Sequence, residues 1–129
     1  MEKIDILIDF DGTCVTHEYP YIGQEIGATP VLKELSEAGH GLILFTMRSK
    51  NNGTLENAVN WFKTNEIPLK GIQSNPGQNS WTDSPKAYGQ LIIDDTSLGI
   101  PLKTENGYTF VDWVKVRELL IERNLLKND

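Results

Sequence analysis

Apolar residues fall along this chain in two patterns. Residues 4–9 (IDILID), 42–46 (LILFT) and 91–94 (LIID) are short apolar runs rich in β-branched side chains, and each closes on a polar residue. Unbroken runs of that length mark strands buried on both faces of a parallel sheet. Residues 71–74 (GIQS) form a shorter run of the same kind. Between them the period lengthens. Val31, Leu32, Leu35 and Ala38 keep helical spacing, with Thr29 the expected N-cap, Pro30 in the first turn and Gly39 as the stop. Residues 54–66 predict a second helix with Leu55, Ala58, Val59 and Phe62 as its apolar stripe and Pro68 beyond its end. Residues 111–125 predict a third, capped by Asp112, with Val114, Leu119, Leu120 and Ile121 turned inward.

The connecting stretches differ in kind. Residues 12–27 (GTCVTHEYPYIGQEIG) read as a polar, aromatic-bearing loop, and residues 75–85 (NPGQNSWTDSP) as a turn-rich surface loop. Residues 100–110 suit a hairpin turning at Asn106–Gly107. Strands alternating with helices predict βαβ units: an α/β fold with a mainly parallel sheet of about five strands, the first of them central and flanked by the second and fourth. No repeat or linker divides the chain, so residues 1–129 read as one domain.

That arrangement carries a chemical consequence. Ligands of open parallel sheets bind beyond the carboxyl ends of the strands. Here those ends carry Asp9-Phe10-Asp11, Thr46 and Asp94-Asp95. Carboxylates so crowded need a proton or a divalent cation to neutralise them. An all-oxygen donor set favours Mg²⁺, which in turn favours a phosphate ligand. Gly12 and Thr13 follow the first acids, where backbone N–H groups can cradle an anion. Thr46 supplies a hydroxyl, and Arg48 or Lys86 a balancing cation.

Composition narrows the partners. The 129 residues include 12 basic and 18 acidic side chains, a net charge of −6. An acidic balance with scattered basic pairs argues against nucleic acid and directs the expectation to a phosphorylated small molecule rather than a macromolecule. No apolar run approaches the roughly 18–20 residues of a membrane span. The single cysteine, Cys14, cannot pair within the chain, and the first residues lack the features of a secretory signal, so a cytoplasmic setting is expected.

DFDGT after an apolar strand resembles the first motif of the haloacid dehalogenase superfamily. LILFT resembles the second, and PKAYGQLIIDD the third and fourth, in the superfamily's order across residues 4–95, about 70% of the chain. The resemblance implies a Rossmann-like three-layer sandwich and a Mg²⁺-dependent phosphatase. Asp9 would be the nucleophile that forms an aspartyl-phosphate. Asp11 would protonate the leaving oxygen and then activate water. Thr46 would bind the transferred phosphoryl, with Lys86 (or, failing it, Lys70) holding nucleophile and phosphate together. Asp9, the backbone carbonyl of Asp11, Asp94 and Asp95 would hold Mg²⁺. The acid at Asp11 separates this pattern from the superfamily's dehalogenases and transport ATPases. Thr46 follows Asp11 by only 35 positions, and Lys86 follows Thr46 by 40. Neither stretch has room for a cap domain, and the close approach of Lys86 to Asp94 is similar to small capsule-biosynthesis-type phosphatases.

The competing readings are a signalling receiver, which would need an acid after the third strand where GIQSN has none, and a catalytically silent Mg²⁺- or phosphate-binding module. An oligomer that closes the open site is compatible with all of this.

Overall fold

Each apolar run becomes a strand, and three helices fill the intervals the longer period marks. In chain order these are β1 (Asp5–Ile8), α1 (Ala28–Glu37), β2 (Gly41–Leu44), α2 (Thr54–Thr64), β3 (Gly71–Ile72), β4 (Leu91–Ile93), β5 (Leu102–Glu105), β6 (Tyr108–Val111) and α3 (Trp113–Glu122). The computed structural model describes residues 2–128. Met1 and Asp129, the ends of the expected 1–129 domain, lie outside the described residues.

β1 to β4 form one parallel sheet in the order β3-β2-β1-β4, so β1 is central between β2 and β4 as expected. The fold is α/β, a Rossmann-like sandwich with no separate cap. The sheet has four strands rather than five. The extra pairing is a detached antiparallel hairpin, β5–β6, whose turn is Asn106–Gly107 as expected. Both turn residues have positive φ, 52° and 83°, the backbone that matches a two-residue turn to strand twist.

Strand alternation sorts the core into two unequal parts. Ile6, Ile8, Leu42, Leu44 and Ile93 pack in one cluster with residues of all three helices. Leu7 and Ile43, on the opposite face, form a small buried cluster with Ala87. The two steps β1–α1–β2 and β2–α2–β3 advance in one direction, so right-handed crossovers place α1 and α2 on the same face. The return from β3 to β4 crosses the other face. The 73–90 segment that makes it is irregular apart from a short turn at Pro76–Gln78. Its polar side chains replace a helix's internal bonds. Asn75 Nδ2 donates to the Asp5 carboxylate (2.9 Å) and the Tyr88 carbonyl (2.9 Å). Gln78 donates to the Lys86 carbonyl (2.9 Å) and accepts from the Tyr88 N–H (2.7 Å).

Two helix details differ from expectation. α1 is not capped by Thr29. Gly27 sits at the cap with φ 96°, and the Glu25 carboxylate accepts from the N–H groups of Gly27 (3.0 Å) and Thr29 (3.2 Å). A side chain from the preceding loop has displaced the local cap. On α3, capped by Asp112 as expected, the buried stripe is Trp113, Val116 and Leu120, while Val114 and Leu119 face solvent. Trp113 sets that rotation, because its indole N–H donates to the Thr13 carbonyl (2.7 Å).

His40 closes the far end of the sheet. Its Nδ1 accepts from the Ile4 N–H (3.1 Å) and its Nε2 donates to the Leu125 carbonyl (2.8 Å), both buried. His40→Ala strands both backbone groups and is expected to destabilise by about 2–4 kcal/mol. Denaturant unfolding with an unchanged slope and a lower midpoint checks this.

Candidate functional site

The order β3-β2-β1-β4 reverses direction between β1 and β4, which makes that crevice the switch point of the sheet. Ile8 and Ile93 are in register, and the Asp9 N–H donates to the Ile93 carbonyl (3.0 Å). Asp9 and Asp94, the next residues on each strand, therefore lie about one strand spacing apart. Asp95 follows. Asp9, Asp94 and Asp95 each offer an oxygen within 4.8 Å of the others.

Phe10 fixes which way the acids turn. Its ring is fully buried and meets Trp61 edge-on at 5.5 Å and Phe62 at 6.2 Å. The anchor is apolar, and the acids on either side of it are left at the sheet edge. Thr13 then ties the two strand ends together. Its hydroxyl donates to Asp9 Oδ2 (2.8 Å) and accepts from the Asp95 N–H (2.9 Å). Gly12, at φ 80°, closes this turn. A Cβ there would overlap the His17 ring and the Asp95 carboxylate, which approach each other at 2.9 Å.

Burial raises Asp9 from 3.8 to about 7, with the Asp94 charge and the Asp95 carboxyl adding to it, while the Thr13 hydroxyl and the Phe10 N–H pull the other way. Burial is the main cause, and the crowding of carboxylates expected from sequence adds to it. Asp94 is held from the far side, accepting from the Thr96 N–H (2.9 Å) and hydroxyl (2.8 Å). Cys14 packs beneath, its thiol donating to the Asp9 carbonyl (3.3 Å) and pushed well above the ordinary thiol range by burial.

The remaining site residues divide. Thr46 lies past the end of β2 at the same edge, and its hydroxyl oxygen accepts from the Arg48 N–H (3.2 Å). Its peptide is clamped by a residue that sequence reading missed. The Gln73 side chain accepts from the Thr46 N–H (2.8 Å) and donates to the Thr46 carbonyl (2.6 Å). Gln73 holds φ 64°, and only its place directly after a strand hinted at it. That same place is where a receiver would carry its acid.

Three expectations are corrected, those for the Gly12–Thr13 cradle, for Arg48 and for Lys70. The Gly12 and Thr13 N–H groups are spent on the Val15 and Phe10 carbonyls, so they offer no anion cradle. Arg48 is no substrate contact, since its guanidinium is buried and grips Asp11 through Nε (2.8 Å) and Nη2 (2.7 Å). Lys70 pairs with Asp5 at 2.8 Å, at the amino end of β1. Four residues of strand, roughly 13 Å, separate that point from Asp9, so Lys70 is not the lysine of the site. Lys86 borders the right face, beside Ala87, but is exposed and forms no ion pair among the described residues.

The 12–27 loop folds over this edge as a flap. His17 meets Asp95, the Tyr108 hydroxyl on β6 donates to Glu18, and Asn52 donates to the Tyr19 hydroxyl (3.0 Å). A cavity of about 570 Å³ opens between the flap, the hairpin and α3, lined by Thr16, Tyr108, Phe110 and Trp113 among others, and Asp9, Asp11, Asp94 and Asp95 do not border it.

No family model matches the chain, and no curated protein does. Among solved structures, the chain is similar to a conserved protein from Bacteroides thetaiotaomicron. The two share 32% identity and a TM-score of 0.77 over 95% of this chain and 93% of the other.

Between pH 4 and 7 the folded protein holds a proton on Asp9 that the unfolded chain has released, so this group's contribution falls as pH rises through that range. Asp9→Asn removes the charge. Its melting temperature is expected to match wild type near pH 3, where folded and unfolded Asp9 are both protonated, and to exceed it by about 4 °C or more near pH 8, both without divalent cation. Added Mg²⁺ is expected to stabilise wild type near pH 8, hardly near pH 5, and Asp9→Asn at neither. Thermal melts with and without chelator check both.

Proposed function

We propose that this chain, which belongs to the same family as that conserved protein, is a Mg²⁺-dependent phosphomonoesterase working through an aspartyl-phosphate on Asp9. The carrying observation is the convergence of three acids from two adjacent parallel strands at the switch point, one of them raised to about 7. The motif resemblance across residues 4–95 supports the same reading.

The donor set fits a hard divalent cation: carboxylate oxygens only, within 4.8 Å of one another, at a half-buried edge. Asp9, Asp94 and Asp95 would hold it, together with the Asp11 carbonyl. When bound it neutralises the crowded carboxylates and the phosphoryl oxygens. A free oxygen of Asp9 attacks phosphorus, and the ester P–O bond breaks as Asp11 gives a proton to the leaving oxygen. Water then attacks the phosphorus of the aspartyl-phosphate, Asp11 takes its proton, and the carboxylate of Asp9 departs from inorganic phosphate. Thr46, whose oxygen already accepts from Arg48, keeps its own proton to donate to a phosphoryl oxygen. Lys86 is the uncommitted cation nearest in sequence to β4 and takes the balancing role. The acidic balance of the chain favours a small phosphorylated substrate over a macromolecule.

Purified protein is expected to release p-nitrophenol from p-nitrophenyl phosphate with Mg²⁺ and not with chelator. Asp9→Asn is expected to lower turnover at least ~10³-fold while keeping a cooperative melt. No Mg²⁺-dependent release at high protein concentration overturns the proposal and leaves a cation- or phosphate-binding module on the same fold.

A further inference from the structure

We propose that Arg48 is a positioning residue that aims the Asp11 carboxylate and links its position to the flap, an assignment that rests on the phosphatase reading above. Arg48 is the largest fully buried side chain among the described residues. Every N–H of its guanidinium has an acceptor. Nε donates to Asp11 Oδ2 (2.8 Å), and Nη2 to Asp11 Oδ1 (2.7 Å) and the Tyr21 carbonyl (2.7 Å). Nη1 donates to the Pro20 and Thr54 carbonyls, both at 3.3 Å. The Phe10 ring lies 4.9 Å and the Tyr19 ring 5.4 Å from the guanidinium carbon.

A phosphate could reach this guanidinium only by displacing bonds already made. The planar fork instead defines the Asp11 carboxylate in position and rotation, which a single ammonium cannot do. It uses one lone pair on each oxygen and leaves the others for a proton and for the leaving oxygen or water. A buried ion pair is a weak source of stability compared with apolar packing of the same shape. Its retention two residues from the nucleophile points to geometry as its use. The Pro20 and Tyr21 carbonyls belong to the flap and Thr54 to the first residue of α2, so Asp11 is aimed only while the flap and α2 sit where they do.

The test separates this role from plain structural support by the leaving group. Phenyl phosphate and p-nitrophenyl phosphate have nearly the same shape, but phenolate is the poorer leaving group and depends more on protonation. In Arg48→Lys, kcat on phenyl phosphate is expected to fall ~100-fold, that on p-nitrophenyl phosphate less than ~10-fold, and KM to change less than about threefold. Asp11→Asn should show the same selective loss, and the double variant no further widening between the two esters. Should Arg48→Lys fail to fold, Tyr19→Ala removes a half-exposed ring from the guanidinium, and is expected to give the same selectivity, about 3–10-fold on phenyl phosphate. Equal losses on both esters, or a change confined to KM, overturn the assignment and leave the phosphatase reading intact. A wild type without Mg²⁺-dependent turnover removes that reading and this assignment with it.

Discussion

Two parallel strands that end in register, each on an acid, are the constraint around which this molecule is arranged. Ile8 and Ile93 pair, so Asp9 and Asp94 cannot avoid one another, and Asp95 adds a third charge. The sheet gains from burying Ile6, Leu7 and Ile8, and the cost appears at the strand ends as carboxylates in a half-buried crevice. Thr13 is the local response. One hydroxyl accepts from the Asp95 peptide and donates to the Asp9 carboxylate, giving one acid a donor and fixing the backbone of the other. The raised pKa of Asp9 is what remains after that response, and a proton or a divalent cation is what relieves it.

The two faces of the sheet serve this edge differently. The helical face holds it rigid. Phe10 reaches into the aromatic pair Trp61 and Phe62 on α2, so the residue between two acids is a core residue and its neighbours have little freedom. The irregular face brings polar groups that a helix would have kept to itself. Gln73, at the start of the return segment, can hold both backbone groups of Thr46 because no helical ladder claims it. Asn75 and Gln78 do the same work within the segment. A crossover without a helix is thus affordable at Leu7 and Ile43, where Ala87 closes a small patch.

What could be read from the chain follows the range of the forces involved. The apolar runs 4–9, 42–46 and 91–94 are strands because β-branched and leucine side chains need two covered faces, and that requirement is local. The β5–β6 turn and the Asp112 cap are local as well. Errors arise where a distant group wins. Thr29 loses the α1 cap to Glu25, and Val114 and Leu119 lose the inner face of α3 to Trp113, which is held by Thr13 one hundred residues away. The acids of the site were legible because strand ends in a parallel sheet share an edge. The partners of Arg48, the spent amides of Gly12 and Thr13 and the clamp from Gln73 were not, because each is a contact between segments whose spacing carries no pattern. Lys70 illustrates the limit from the other side. It is basic and close in sequence to a strand, but on the amino edge, and only the register says so.

The flap's ties to the rest of the molecule differ in strength along its length. At its tip, His17 to Asp95 and Glu18 to Tyr108 are at or near the surface, where solvent screens such contacts and leaves them weak. Further along, the Pro20 and Tyr21 carbonyls accept from a guanidinium with no exposed surface, and breaking a buried charge network of that kind costs about 3–5 kcal/mol. The tip is therefore cheap to move and the Pro20–Tyr21 end is not. That gradient matters for a domain without a cap. Neither His17 nor Glu18 bonds to Arg48, so the contacts that hold the acid at residue 11 are separate from those over Asp95.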